Sequence, residues 1–136
     1  MTPTGVLETV LYVDDLDAAR AFYSDVLGMV PFTTVEGRHL FYRCGNQVIL
    51  LFNAEATRVP ADGAAIVVPT HGAVGEGHLC FRASGIEISE WRQHLLDKGV
   101  EIEADFEWPQ GGRSIYFRDP SGNSLEFAEP RIWGLT

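Results

Sequence analysis

Glu8, His78 and Glu126 are the residues whose types and places in this chain suit joint chemistry. Two carboxylates and one imidazole converging on a point make a hard, anionic site for a divalent cation, related to the facial triad of two histidines and one carboxylate. Its open coordination positions would take two adjacent substrate oxygens, which the cation would polarise. The carboxylates favour Mn, Fe or Mg, while the imidazole keeps Zn, Co and Ni open. Taken singly, each residue has an ordinary reading: Glu8 as a solvated strand residue, His78 as a satisfied histidine, Glu126 as an ion-pair partner. Their joint reading rests on where the chain puts them.

It puts them at matched places in a duplication. GRHLFYRCGN, from Gly37 to Asn46, returns as GRSIYFRDPSGN, from Gly112 to Asn123. A period of about 75 residues is too long for a solenoid unit and suits a duplicated half-domain. The copies open with LETVLYVDDLDAARAFYSDVLG and GHLCFRASGIEISEWRQHLLDKG, each an apolar run, a turn, an amphipathic segment and a closing glycine. Setting Glu8 against His78 aligns Leu11 with Phe81, Leu16 with Ile86 and Phe22 with Trp91; at the other end Leu50 falls on Glu126. Strand alternation sends Leu79, Phe81, Leu125 and Phe127 toward a helix and leaves His78, Cys80, Arg82, Ser124, Glu126 and Ala128 on the other face. By the repeat, Glu8, Val10, Tyr12, Val48, Leu50 and Phe52 share that second face. A pseudo-twofold would then bring positions 8, 50, 78 and 126 toward one axis.

The positioning elements read as βαβββ, twice. Val6 to Val13 is β-rich; Asp14 and Asp15 offer caps to a helix with Leu16, Ala19, Phe22, Tyr23, Val26 and Leu27 at helical spacing and Gly28 as its stop. Strands are predicted at Val30 to Val35, His39 to Arg43 and Gln47 to Phe52, with Gly45-Asn46 as a tight hairpin turn. The second copy predicts a strand at His78 to Ala83, a helix carrying Ile88, Trp91 and Leu95, and strands near Val100 to Glu103, Ser114 to Arg118 and Ser124 to Ala128, with Asp119 to Gly122 as a turn. Residues 54–76 form a long connector whose run Ala65 to Val68 suggests a lid or an extra edge strand.

At 136 residues and 46% apolar, the chain is expected to be a single domain of two modules, 5–53 and 77–129, with a tail at 130–136. A formal charge of -9 gives no basic footprint and argues against nucleic acid and anionic membrane surfaces as partners. No segment approaches the roughly 20 apolar residues of a membrane span. Cys44 and Cys80 form neither a zinc knuckle nor a redox pair, so a reducing cytoplasm is the expected location.

Arg113 and Tyr116, after the Gln110-Gly111-Gly112 stretch, are the preferred substrate contacts, because an arginine can grip a carboxylate or phosphate in bidentate geometry. Parity keeps both from facing inward on an ideal strand. Tyr12, Phe52, Phe41 and Trp108 are candidates to line an apolar pocket. His39 reads as an edge-strand residue, His71 as a solvated loop histidine that could close over a metal, and His94 as an exposed helical one.

The strand-Asp-Leu-helix opening YVDDLDAARAFYSDVLG and the closing strand-turn-strand YFRDPSGNSLEF resemble those of the vicinal oxygen chelate superfamily, which includes glyoxalase I, extradiol dioxygenases, fosfomycin-modifying enzymes and bleomycin-binding resistance proteins. The resemblance covers nearly the whole chain. It implies an α+β fold of two βαβββ modules forming a cupped, partly open mixed sheet with helices on the outer face, a small-molecule substrate, and a homodimer that can pair modules between chains. It places the family's metal ligands on Glu8, His78 and Glu126, and a fourth on Leu50, which cannot ligate; that departure argues against glyoxalase I itself. One divalent metal ion per site, with Glu8 and Glu126 as catalytic residues, would support lyase, isomerase or dioxygenase chemistry. The alternative is a metal-free drug-binding protein of the bleomycin-resistance type.

Overall fold

Asp15 begins the first helix by accepting the Ala18 amide at 2.9 Å, and the element order of the whole chain follows from such local signals. The computed structural model describes residues Met1–Thr136 as two compact units, Met1–Gly75 and Glu76–Thr136. Unit 1 holds β1 (Glu8–Tyr12), α1 (Leu16–Arg20) running into a π-helical turn (Ala21–Val26), β2 (Pro31–Val35), β3 (His39–Cys44), β4 (Gln47–Phe52) and α2 (Ala54–Thr57). Unit 2 holds β5 (His78–Arg82), α3 (Gly85–Asp97), β6 (Ala104–Glu107), β7 (Arg113–Arg118), β8 (Ser124–Ala128) and a 3-10 turn (Pro130–Trp133). The fold is α+β, built of two βαβββ modules as the duplication implied.

Each unit carries one four-stranded mixed sheet, ordered β1-β4-β3-β2 and β5-β8-β7-β6. In both, the first strand lies parallel to the last and the other pairings are antiparallel. Parallel pairing needs a crossover, and the helix supplies part of it. Alternation sorts the faces: Leu11, Leu40, Tyr42, Ile49 and Leu51 are buried with Ala19, Phe22, Tyr23 and Leu27 of the first helical segment. In unit 2, Ile115, Phe117, Leu125 and Phe127 are buried with Ile88 and Leu95 of α3, and Trp91 stacks on Phe127 at 4.5 Å. Ser84 and Glu87 close a reciprocal capping box on α3.

A buried turn fixes the register that matters. Asp119 accepts the Ser121 and Asn123 amides at 2.9 Å each, Asn123 Nδ2 donates to Asp119 at 2.9 Å, and Gly77 N donates to Asn123 Oδ1 at 2.8 Å. The β7–β8 turn is thereby tied to the residue just before β5, setting His78 opposite Ser124.

Three sequence expectations shift. β6 starts at Ala104, not near Val100, because Val100 N is taken by Leu95 O in the helix stop and pairing with β7 begins at Glu103 N, which donates to Tyr116 O. β3 is interior, so His39 is not on an edge strand. The connector forms the short helix α2, capped by Asn53, and Ala65 to Val68 pairs with no strand and leaves Ile66 exposed. In the tail Ile132 is buried while Trp133 is 78% exposed. Ile132 fits only because residue 112 lacks a side chain: a Cβ on Gly112, whose φ is 99°, would collide with it.

Candidate functional site

On the sheet face of unit 2 opposite α3, the parallel pair β5 and β8 places His78, Cys80 and Arg82 beside Ser124, Glu126 and Ala128. Glu126 is 4% exposed. In register it lies between Cys80 on one side and Tyr116 on the other. Its Oε1 is buried without a hydrogen bond of normal geometry, an expensive arrangement for a carboxylate oxygen, and the Cys80 thiol and Tyr116 phenol are the donors that act on this carboxylate. Its Oε2 lies 3.4 Å from His78 Nε2.

The other end of His78 decides what that approach means. Nδ1 sits 3.0 Å from the carbonyl oxygen of Ser124, and a carbonyl can only accept, so Nδ1 carries the hydrogen. Nε2 therefore turns a lone pair toward a carboxylate oxygen unless a proton or a metal cation fills the gap. A ligating histidine is characteristically held this way, by a carbonyl on its second nitrogen. The Tyr116 ring, 6.3 Å away at 23°, backs the imidazole. His78 and Glu126 thus fit a divalent cation. Neither unit alone gathers three or more His, Cys, Asp or Glu around one point.

The flanking groups are neutral. Desolvation first, and then the Glu126 carboxylate, push the Cys80 thiol up to about 12 and the Tyr116 phenol up to about 12. Cys80 is thus a thiol at neutral pH rather than a thiolate ligand. Beside them a depression of about 280 Å³ is lined by Glu103, Ala104, Phe106, Tyr116, Arg118 and Ser124. Phe106 stacks on Tyr116 at 5.9 Å.

Arg113 lies elsewhere. Its Nε and Nη2 hold Asp105 at 2.9 Å each and its Nη1 donates to Ser89 of α3 at 2.8 Å, on the face opposite Tyr116 and Glu126. The arginine on their face is Arg118, two places after Tyr116, which binds Glu103 at 2.6 and 2.9 Å, Glu76 at 3.3 Å and the Gly122 carbonyl at 3.0 Å. Counting parity from Glu126 would have chosen it.

In unit 1, Glu8 is exposed at the start of β1 and opposes Val48. Leu50 is buried, between Val10 and Phe41 on the flanking strands. Two pleats beyond Glu8, Tyr12 meets His71, whose Nδ1 lies 2.6 Å from the phenol oxygen. His71 is also held by the edge of Phe52 at 4.8 Å and by its own amide on Thr57 O at 3.0 Å. It is not the loose loop histidine that its neighbours in sequence suggested. His39 stacks on Phe41 at 4.0 Å; burial, and secondarily Arg38, lower its pKa.

A family model described as the Glyoxalase/Bleomycin resistance protein/Dioxygenase superfamily matches residues 5–127. No curated protein matches the chain. Among solved structures, one described as lactoylglutathione lyase from Agrobacterium tumefaciens is 41% identical, with 99% of this chain and 100% of that chain covered and a TM-score of 0.92. A virulence protein from Salmonella typhimurium is 27% identical over 95% of this chain and 98% of its own, with a TM-score of 0.71. An integron cassette protein from V. cholerae is 29% identical over 96% and 98%, with a TM-score of 0.69. Spanning both copies of the repeat, the family match shows that this chain belongs to the Glyoxalase/Bleomycin resistance protein/Dioxygenase superfamily.

Proposed function

We propose that the chain is a metal-dependent lyase or isomerase of a small carbonyl compound, which it binds through two adjacent oxygens at a divalent cation held by His78 and Glu126. Glu8, the residue that the repeat pairs with His78, is the proposed third ligand. The observation that carries this reading is the buried Oε1 of Glu126 beside an imidazole whose Nδ1 is held by the Ser124 carbonyl and whose Nε2 faces the carboxylate. When bound, the cation would supply Lewis acidity to the substrate oxygens.

The protein's own groups do the rest. Ser124 O orients the imidazole, and Cys80 and Tyr116, kept protonated, add no negative charge beside Glu126. The adjoining depression has room for a small metabolite, with Phe106 and Tyr116 as an apolar wall and Arg118 as a cationic margin. Lactoylglutathione lyase, named for the Agrobacterium structure, is the first activity to assay. Leu50 offers no donor atom, which distinguishes this site from one with four side-chain ligands.

Metal titration and elemental analysis of the purified protein test the reading. We expect one divalent ion per chain, its loss in Glu126→Ala with unchanged circular dichroism, and weakened uptake in Glu8→Gln. No stoichiometric metal under any loading condition would end the reading.

A further inference from the structure

We infer that the substrate carries an aryl group free of negative charge, which stacks on Phe106 and Tyr116 of unit 2 while its adjacent oxygens meet the cation; this rests on the proposed metal site of His78 and Glu126. A single exposed phenylalanine is ordinary on a protein surface, but Phe106, 40% exposed, belongs to a row of rings. Trp108 meets it edge-on at 5.0 Å and 69°, and Trp108 is itself held by Nε1 donating to Ser114 Oγ at 2.9 Å. On its other side Phe106 lies nearly parallel to Tyr116, at 5.9 Å and 12°. Tyr116 in turn lies 6.3 Å from the His78 ring at 23°, so the row ends at the imidazole proposed as a ligand. Tyr116 and Ser124, whose carbonyl orients that imidazole, both line the depression of about 280 Å³. A ring seated there lies beside His78 within one unit, against rings already fixed in place, and gains offset or edge stacking that an alkyl group would not.

Charge decides what that ring can bear. Arg118 is the cation at the margin of the depression. Its Nε and Nη2, the edge that grips a carboxylate with two parallel bonds, already hold Glu103 at 2.6 and 2.9 Å. Its Nη1 holds Glu76 at 3.3 Å and the Gly122 carbonyl at 3.0 Å. Two carboxylates against one guanidinium leave this margin negative. A carboxylate or phosphate on the far end of the substrate would meet Glu103 and Glu76 with the gripping edge of Arg118 closed, so it would lose affinity rather than add it. These groups are partly open to water, which keeps the rejection moderate.

Hydroxamates supply the test, because each chelates through two adjacent oxygens while its tail is varied alone. The full-length protein loaded with Mn²⁺ is titrated by calorimetry with acetohydroxamate, benzohydroxamate and 4-carboxybenzohydroxamate. We expect benzohydroxamate to bind about 10-fold more tightly than acetohydroxamate, and the added carboxylate to remove most of that gain. Phe106→Ala should bring benzohydroxamate close to acetohydroxamate with metal uptake unchanged. Glu103→Gln, which frees the gripping edge of Arg118, should raise affinity for 4-carboxybenzohydroxamate about 5-fold relative to benzohydroxamate, whereas a merely structural ion pair would change all three probes alike. Equal wild-type affinities for acetohydroxamate and benzohydroxamate, an aryl gain that survives Phe106→Ala, or a wild-type preference for the carboxylated probe would each overturn the inference. Absent metal uptake would instead defeat the reading beneath it. Benzamide and benzoate, followed through the Phe106 and Tyr116 ring protons of metal-free protein, would then still judge the rings: benzamide alone should shift them, and equal shifts or none would overturn the inference.

Discussion

The Oε1 atom of Glu126 gives up its hydration without gaining a hydrogen bond of normal geometry. Such a group costs about 1–3 kcal/mol when neutral and more when charged. In metal-free protein, Glu126→Gln removes that charge without changing shape, and we expect thermal stability to rise, by about 1–2 kcal/mol. Saturating metal should reverse the order, because only wild type gains binding free energy from the cation. Paired melts with and without Mn²⁺ check this; a variant less stable than wild type under both conditions would show that the carboxylate serves the fold. The preference is visible at this scale because the sequence carries the donor types but not their solvation. Glu126 was identifiable from the repeat, whereas the surroundings of its buried oxygen exist only once the strands have paired.

Between elements, the arginines settle what the duplicated GR and R positions are for. Arg113 joins β7 to α3 through Ser89 and holds Asp105 of β6, which Arg92 of α3 also reaches at 2.9 Å. The hydrogen bond from Arg113 outweighs desolvation and keeps Asp105 below its ordinary value of 3.8. A depressed carboxylate contributes stability that is present above its unfolded value and lost as pH falls through the folded one. Asp105→Asn should therefore cost about 1 kcal/mol near pH 7, an exposed network being screened, and flatten the loss of stability below about pH 4. Urea midpoints at several pH values measure it; parallel curves for variant and wild type would remove the assignment. The alternation that sorted Leu125 from Glu126 also separates Arg113 from Tyr116, so this face was legible. The start of β6 was not, since the acidic residues Asp105 and Glu107 hide its pattern and Val100 belongs to the helix stop. His71 was illegible for another reason: no local pattern announces a contact with a tyrosine 59 residues earlier.

For the molecule as a whole, the formal charge of -9 is a field that a divalent cation would feel before reaching any ligand. Salt screens it over about 10 Å at 0.1 M. We expect metal affinity to fall several-fold between 20 and 300 mM KCl, mainly through the association rate. A salt-independent affinity would mean that the local ligands alone set it. The duplication itself was the most readable feature at this scale: matching GRHLFYR to GRSIYFR gave both βαβββ modules and the pairing of Glu8 with His78. What it could not give was the use of the intervening segment, which supplies α2 and His71 in place of the edge strand that its apolar run suggested.

His78 and Glu126 stand across the one parallel pairing of unit 2, β5 with β8, which joins the first strand of that unit to the last. A contact between such distant parts pays its loop-closure entropy late, after the β6–β7 and β7–β8 hairpins have zipped locally. On the ribosome, His78 emerges well before its partner exists. The candidate ligands therefore meet only when the unit is finished, so a nascent or truncated chain ending before β8 has no His78–Glu126 pair with which to scavenge a cation.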